Sequence, residues 1–152
     1  MYSEIGYYNS KDDPRGNNAR IRNSEIRWLF EYERELGQDL TGSFQYYAEQ
    51  RLDQSAFSAG LPEGVRVPDK TRHLLSMRLT KLTMMQNLRL SLFAFWSPSD
   101  EDFYLRPSVE YQIDDNWSVS GGGNLLEGNY HSTFFGQFEN NSNVYLSGKY
   151  SF

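Results

Sequence analysis

The feature that most constrains this chain is an alternation of apolar and polar residues that recurs along most of its length. Ile26, Trp28, Phe30 and Tyr32, for example, are separated by single residues that are mostly charged. A period of two places one set of side chains on each face of a β-strand. The runs that show this period are Ile26–Glu33, Leu40–Arg51, Arg72–Thr80, Leu88–Trp96, Phe103–Ile113, Trp117–Leu125 and Val144–Phe152.

These candidate strands are long, and no long stretch has the 3.6-residue apolar period of a helix. Strands of roughly 9–14 residues exceed the usual length of about 5–6 in soluble sheets, and about 9–11 tilted residues cross a bilayer. With the shorter segment Tyr2–Asn9 as a further strand, the pattern predicts an all-β fold. We expect an antiparallel transmembrane β-barrel segment of about eight strands. Residues 1–152 would form a single domain, with a C-terminal strand over residues 143–152.

The connections between the candidate strands alternate in length. Tight connections are predicted at Gly37–Asp39, Met84–Asn87 and Asp114–Asn116. Long or intermediate polar connections are predicted at Ser10–Asn23, Gln54–Asp69, Ser97–Glu101 and Glu127–Ser142. Outer-membrane barrels have short periplasmic turns and longer external loops, so the long connections are expected to be external. A ninth strand over Thr133–Glu139 would reverse this assignment, and we therefore interpret Glu127–Ser142 as one loop.

Aromatic residues make up 16% of the chain although all hydrophobic residues together reach only 38%. Trp96 and Phe103 flank one predicted external end, and Tyr111, Trp117 and Tyr150 fall near the periplasmic end with Phe152. Amphipathic rings favour the two interfaces of a membrane, so two aromatic girdles are predicted. The alternative is a soluble β-sandwich, which would need about seven short strands and two apolar inner faces.

Charge and cysteine content exclude several other classes of protein. The net charge of −5 argues against extensive nucleic-acid binding. Cysteine is absent, which excludes disulfides, cysteine nucleophiles and zinc–thiolate sites. Residues 1–20 contain no basic segment followed by an apolar stretch, so no signal peptide is expected within them.

Charged residues at the polar positions would line the interior of such a barrel. Acidic residues concentrate on the first full hairpin and arginines on the next three strands. Opposed acidic and basic walls would create a field that sets ion preference. In a narrow or plugged interior, the same charges would neutralise each other, and eight strands alone leave no diffusive pore. The predicted lumen-lining charged residues are Arg27, Glu31, Glu33, Glu49, Arg72, Arg78, Arg89, Arg106, Glu110 and Lys149.

No pattern in the chain indicates an active site, a metal site or a cofactor. His73 is predicted to face lipid near an external end, without the outward serine that a catalytic dyad requires, and His131 is expected to be a solvated loop residue. The acidic clusters Asp12–Asp13 and Asp100–Asp102 are candidate calcium ligands, although such runs are usually solvated turns. Gly121–Gly123 lacks the Lys-Ser/Thr of a phosphate loop, and it indicates curvature or close approach of a loop folded into the lumen.

The last residues of the chain, Val-Tyr-Leu-Ser-Gly-Lys-Tyr-Ser-Phe, resemble the C-terminal assembly signal of Gram-negative outer-membrane barrels. The resemblance assigns the signal to Val144, Leu146, Tyr150 and Phe152. It implies that an apolar terminal strand is recognised at the edge of the barrel-assembly machinery by strand addition.

Most of the chain also resembles the C-terminal part of a family of porin-like, mostly uncharacterised outer-membrane proteins. The similar segments are Arg27–Glu49, Arg78–Pro107 and Phe134–Phe152. Members of that family are longer at the N-terminus and carry a leader. The resemblance therefore implies the C-terminal half of a larger barrel in the bacterial outer membrane, and it brings no known substrate or catalytic motif.

Together these features predict a porin-like protein, not an enzyme, that lets small polar or ionic solutes pass through a charged lumen. Its expected partners are outer-membrane lipid, lipopolysaccharide, the barrel-assembly machinery and the solutes, with no nucleic acid and no cofactor. Two alternatives remain open. One is a structural or adhesive barrel whose long external loops bind a partner, and the other is a soluble all-β binding domain.

Overall fold

The computed structural model describes residues 1–152 and contains a single antiparallel sheet of eight strands. The order of the strands across the sheet is their order along the chain, so every pairing joins sequence neighbours. The all-β antiparallel prediction is thereby confirmed, including the strand near the N-terminus. The strands are β1 (Tyr2–Tyr8), β2 (Glu25–Gly37), β3 (Leu40–Arg51), β4 (Thr71–Thr83), β5 (Leu88–Ser97), β6 (Asp102–Gln112), β7 (Trp117–Gly128) and β8 (Asn143–Tyr150).

The C-terminal strand is shorter than the predicted range of residues 143–152. Tyr150 pairs with Trp117, which is the first residue of β7, so the ladder has no further partner beyond this point. The chain then leaves the strand, and the Ser151 amide donates a hydrogen bond to the Asn116 carbonyl at 2.8 Å.

Two short helices lie in the connections. Helix α1 (Gln54–Ala59) follows β3, and a 3-10 helix (Gly136–Asn141) precedes β8. The 3-10 helix overlaps the range considered for a ninth strand, so the interpretation of that range as part of one connection is confirmed. Neither helix is long and apolar enough to cross a membrane.

The connections alternate in length with one exception, because the β5–β6 connection, predicted to be of intermediate length, spans residues 98–101 and is as short as the turns at residues 84–87 and 113–116. Turns of a few residues join β2 to β3, β4 to β5 and β6 to β7, at what we call the tight-turn end of the sheet. The other connections lie at the opposite end, which we call the long-connection end. They comprise residues 9–24, 52–70, 98–101 and 129–142. The two ends of the sheet can therefore be distinguished by the lengths of their connections.

The register of the strands places the two alternating residue sets on opposite faces. Phe30, Tyr46, Leu75, Trp96 and Phe103 form one row across five strands. This row belongs to what we call the apolar face. The opposite face, which we call the polar face, carries every charged residue predicted to line a lumen. Those residues are Arg27, Glu31, Glu33, Glu49, Arg72, Arg78, Arg89, Arg106, Glu110 and Lys149.

The sheet has no second layer against either face. Substantial contacts between strands involve only sequence neighbours, and the 3-10 helix packs on β7. Ala48 is the only buried hydrophobic residue, whereas Val144 and Leu146 are 88% and 82% exposed. The strands therefore do not form the two-sheet sandwich that was the soluble alternative, because a sandwich buries an apolar face of each sheet.

Charged side chains occupy the apolar face only near its two ends. Arg34 pairs with Gly42 and Lys81 with Leu40 close to the tight turns, and Glu127 pairs with Phe103 close to the long connections. The middle of the face is entirely uncharged.

Aromatic residues mark both ends of the apolar face. Trp96 pairs with Phe103 at the long-connection end. At the tight-turn end the rings of Trp117 and Tyr150 are 4.9 Å apart. Phe103 and Tyr111 lie on the same strand, and at about 3.3 Å per residue they are separated by roughly 26 Å. Two aromatic bands thus border an apolar zone of roughly that length along the strand direction.

Strands β1 and β8 are the edges of the sheet and do not pair with each other. Closure into a barrel is therefore not observed. Seven consecutive antiparallel pairings relate the two edges, so β1 and β8 run in opposite directions. Each presents a row of unpaired backbone groups that an antiparallel strand can extend.

Candidate site on the polar face

The polar face contains two groups of charged residues that differ in how their charges are satisfied. The first, at the long-connection end of β2–β4, is built around Glu25, Arg27, Glu49, Arg72 and Asp100 and is called the paired cluster. The second lies further along β4–β6 and consists of Arg78, Arg89 and Arg106, which we call the arginine patch.

In the paired cluster, opposite charges meet at short distances. One oxygen of Glu25 accepts hydrogen bonds from Arg27 Nε at 2.6 Å and pairs with Arg22 Nη2 at 2.7 Å. Glu49 Oε2 accepts a hydrogen bond from the Tyr47 hydroxyl at 3.0 Å. Glu25 is only 5% exposed, so its charge is held by these arginines and not by water.

The connection before β6 completes the paired cluster. Asp100 Oδ2 accepts a hydrogen bond from Arg72 Nε at 2.5 Å. Asp100 therefore belongs to an ion pair and not to an acidic cluster available to calcium. The Ser97 hydroxyl accepts a hydrogen bond from the Asp100 amide at 3.2 Å, which fixes the position of the carboxylate.

The connection between β7 and β8 folds back over the polar face. Phe135 stacks on Tyr104 with ring centres 5.3 Å apart and meets Phe95 edge-on at 4.7 Å. The Phe135 amide donates a hydrogen bond to Asp102 Oδ2 at 2.9 Å, and Asp102 is 1% exposed. A short aromatic cluster thus separates the connections from the part of the face that bears the arginine patch.

The arginines of the patch do not have comparable partners. Arg78 and Arg106 form no ion pair, and Arg89 approaches Glu110 only to 3.9 Å with both side chains more than half exposed. The Arg78 guanidinium lies 5.8 Å from the centre of the Phe93 ring, within cation–π range. All three arginines are exposed on the same face.

The arginine patch borders a cavity of about 630 Å³. Its floor is a row of small residues across β4–β6, namely Thr80, Ser91 and Ser108. Arg78 and Arg106 lie on one side of this row and Arg89 on the other. The small residues leave a depression because larger neighbours stand on both sides of it.

Tyr145 reaches this site from β8 across a glycine. Gly122 pairs with Tyr145, and a Cβ at Gly122 would lie 2.7 Å from the Tyr145 hydroxyl and 2.6 Å from the Pro107 carbonyl oxygen. The Tyr145 side chain therefore lies over Gly122 toward β6, the strand that carries Arg106. The close approach predicted for the triple glycine is therefore present, but the approaching group is a tyrosine of the neighbouring strand and not a loop.

Other predicted lumen residues stand apart from both groups. Glu31 and Glu33 on β2 form no ion pair. Glu33 shares a row with Arg78, but Ser43 of β3 lies between them. Lys149 pairs with Ser118 near the tight-turn end of the sheet. Unpaired acidic residues therefore lie on β2 and unpaired arginines on β4–β6, so the two signs of charge are separated along the sheet.

Neither histidine forms a catalytic pair with serine. The Tyr46 hydroxyl lies 2.7 Å from His73 Nδ1 on the apolar face. Ser97 and Ser99 contact only the backbone of His73 through their hydroxyl groups. His131 is exposed, and its Nδ1 lies 3.5 Å from Glu139 Oε1.

Sequence reasoning identified the arginines but missed the groups that surround them. Phe93, Tyr104 and Tyr145 occupy polar-face positions, where the alternation predicts hydrophilic residues. Phe93 and Phe95 at successive polar positions of β5 were an available signal. Aromatic residues on the polar face of a strand indicate a stacking surface or a loop packed against that face.

Comparison of the chain with protein-family models, with curated proteins and with solved structures finds no match. The features of the molecule that bear on its function are the two faces of the sheet and the arrangement of charges within the polar face.

Proposed function

We propose that this sheet is part of the wall of an outer-membrane β-barrel, with its apolar face toward lipid and its polar face toward a water-filled interior. The observation that carries the proposal is the uncovered apolar face, from whose middle charged residues are absent. Extended apolar surface of this kind is costly in water and stable against hydrocarbon.

The ends of the apolar face support the same proposal. Arg34, Lys81 and Glu127 lie where a membrane-spanning sheet would meet lipid headgroups, and long charged side chains can extend to that level. The aromatic bands at both ends correspond to the girdles of outer-membrane barrels, whose apolar band is about 25 Å tall. In this orientation the long-connection end faces outward and meets lipopolysaccharide.

The free edges favour a barrel larger than these eight strands. Because β1 and β8 run in opposite directions, further strands can be added between them while every pairing stays antiparallel. A closed barrel of eight strands has an interior that side chains fill. The volume of about 630 Å³ beside the arginine patch supports a wider interior. We also propose that the apolar side chains of β8, including Val144 and Leu146, are recognised by the barrel-assembly machinery through strand addition.

In the wider barrel, the polar face would guide passive passage of small polar or ionic solutes without catalysis. Exposed arginines on β4–β6 and exposed acidic residues on β2 supply fixed charges along the path. Fixed charges of this kind set the ion preference of pores. The adhesive alternative is less favoured, because the long connections contact one another and fold over the polar face.

The two faces are tested by arginine substitutions at neighbouring positions of β5. Leu92→Arg places a cation on the apolar face at mid-height, between Leu79 and Pro107, which costs about 2–4 kcal/mol in an outer-membrane barrel. Ser91→Arg places the same side chain on the polar face and serves as the matched control. We expect Leu92→Arg to reduce the heat-modifiable, membrane-inserted fraction strongly and Ser91→Arg to leave it nearly unchanged. Equal losses would contradict the assignment of the faces.

Passage of solutes is tested by single-channel recording of the full-length protein in planar bilayers. We expect discrete conductance steps that scale with the concentration of the permeant salt. If the parent protein inserts but gives no conductance, the plugged, structural barrel replaces the pore.

A further inference from the structure

We propose that the arginine patch is a binding site for small oxyanions that carry at least two negative charges, such as polyphosphates or polycarboxylates. The proposal deepens the proposed function and rests on it, since a site on the polar face receives such solutes from the lumen. It names the class of solute that the pore would favour.

The positive charge of the arginine patch is not compensated by acidic side chains. Arg78 and Arg106 have no carboxylate partner, and the contact from Arg89 to Glu110 is long and exposed. Arginines at this spacing repel one another unless an anion lies between them. Guanidinium groups bind carboxylate and phosphate oxygens in a bidentate geometry, which suits them to this role.

The arginines of the patch are spaced around the cavity at distances that suit a ligand with several charged groups. Across the sheet, Arg78 and Arg106 are two strands apart, or roughly 10 Å between backbones, with Phe93 between them. Along β5, Arg89 is four residues from Phe93, or about 13 Å. Arginine side chains reach inward from three sides across these distances, so an anion of several charged groups can contact more than one of them.

The floor of the cavity between the arginines is polar. Thr80, Ser91 and Ser108 present hydroxyl groups between the arginines, and each hydroxyl can donate to an anionic oxygen. The cavity of about 630 Å³ falls within the range of roughly 300–1,000 Å³ typical of small-molecule sites. A monovalent halide would use little of this volume and few of these donors.

Neighbouring aromatic groups hold the site in place. The Tyr145 hydroxyl lies over Gly122 beside Pro107, the neighbour of Arg106 on β6, and the Tyr104 hydroxyl donates to Asn124 Oδ1 at 2.6 Å. The Phe93 ring lies beneath Arg78 and occupies the position where a carboxylate would neutralise both flanking arginines. Because position 93 is a phenylalanine and not an acidic residue, the positive charge of Arg78 and Arg106 is not neutralised there.

The test uses the full-length protein in detergent micelles, titrated calorimetrically with pyrophosphate and separately with citrate at fixed ionic strength. We expect Phe93→Glu to raise the dissociation constant of both anions at least tenfold, because its carboxylate would pair with Arg78 and Arg106. Arg106→Lys should weaken binding severalfold, since it keeps the charge but loses the bidentate geometry. Comparing the two anions distinguishes phosphate from carboxylate as the preferred group.

Arg34→Ala is the matched control, because it removes one arginine from the apolar face and leaves the patch intact. Circular dichroism and heat-modifiable mobility identify any variant that fails to fold, and Arg106→Lys then tests the site by itself. No measurable binding by the parent would overturn the proposal, as would equal weakening by Arg34→Ala and Arg106→Lys. Conductance is recorded on the same preparations. Binding without conductance would overturn passage but not the site, and conductance without binding would overturn only the site.

Discussion

Two rows of side chains on the polar face have the same spacing of arginines but differ in whether those arginines have acidic partners. Across β2–β4 the row is Arg27, Glu49, Arg72, and across β4–β6 it is Arg78, Phe93, Arg106. In each row, two arginines two strands apart flank one central residue. The central residue is a carboxylate in the first row and a phenyl ring in the second.

The central residue is one part of this difference, and the acidic neighbours of the first row are the other part. Glu49 lowers the mutual repulsion of Arg27 and Arg72 by lying between them, whereas the direct ion pairs of these two arginines are with Glu25 and Asp100. A phenyl ring can attract one guanidinium through its face but cannot cancel a charge. The paired cluster is thus satisfied by the protein itself, whereas the arginine patch is left to solvent or to a ligand.

The largest effect on stability is expected from removing an acidic residue of the paired cluster. Glu25→Ala leaves Arg22 and Arg27 without their shared, nearly buried partner. We expect the free energy of unfolding to fall by about 2–3 kcal/mol for the loss of two charge-assisted hydrogen bonds, with no larger penalty because both arginines keep contact with water. Urea titration of the protein in lipid vesicles measures this change.

Glu110→Ala is the matched change beside the arginine patch. Its contact with Arg89 is 3.9 Å long and both side chains are more than half exposed. We expect the free energy of unfolding to change by no more than about 0.5 kcal/mol, as for other exposed pairs. If both substitutions destabilise equally, the distinction between the two groups is wrong.

A smaller effect is expected from Gly122→Ala, which would displace the Tyr145 side chain beside the arginine patch. The added methyl group would meet the Tyr145 hydroxyl and the Pro107 carbonyl oxygen at under 3 Å. Tyr145 must then move away from position 122. We expect a loss of about 2 kcal/mol in unfolding free energy, typical of overpacking, together with weaker anion binding.

Gly148→Ala is the control for this substitution, because a Cβ there would have no neighbour within 4 Å. It should be neutral or slightly stabilising, since alanine restricts the unfolded chain more than glycine does. Comparable losses from the two alanines would show that the close approach of Tyr145 does not constrain the sheet.

The alternation was sufficient to predict the strands and the residues on each of their faces, and the polar segments between the strands predicted the three long connections. A period of two can be recognised without tertiary information, because the residue pattern within each strand separates its two faces. The same pattern could not determine whether the sheet closes, since closure depends on strands β1 and β8 meeting and not on any local signal. The end of β8 was also misplaced, because the ladder stops where β7 begins at Trp117.

The site was predicted only in part, for a similar reason. Periodicity places Arg78, Arg89 and Arg106 on one face, but register decides which side chain lies between them. That Glu49 is flanked by Arg27 and Arg72, while Phe93 is flanked by Arg78 and Arg106, follows from strand alignment. Asp100 and Asp102 lie in or beside a connection, and their partners are set by how that connection folds.

The smallest expected effect concerns the contacts of Arg66, which join three connections beside the paired cluster. Arg66 of the β3–β4 connection lies 3.9 Å from the Tyr130 ring centre and donates to the Ser99 carbonyl oxygen at 2.8 Å. Arg66→Ala removes a cation–π contact worth about 0.5–1 kcal/mol. We expect chymotrypsin to cleave the connection near Phe134 several times faster, as measured by gel densitometry.

This last variant also separates the two charged groups from each other. Arg66 adjoins Arg72 and Asp100 and does not border the cavity of the arginine patch. Faster cleavage with unchanged pyrophosphate binding is therefore expected if the connections enclose only the paired cluster. Arg15→Ala, in the exposed part of the first long connection, should change neither measurement. Weaker pyrophosphate binding by Arg66→Ala would mean that the connections also position the arginines of β4–β6, and the polar face would then behave as one unit instead of two.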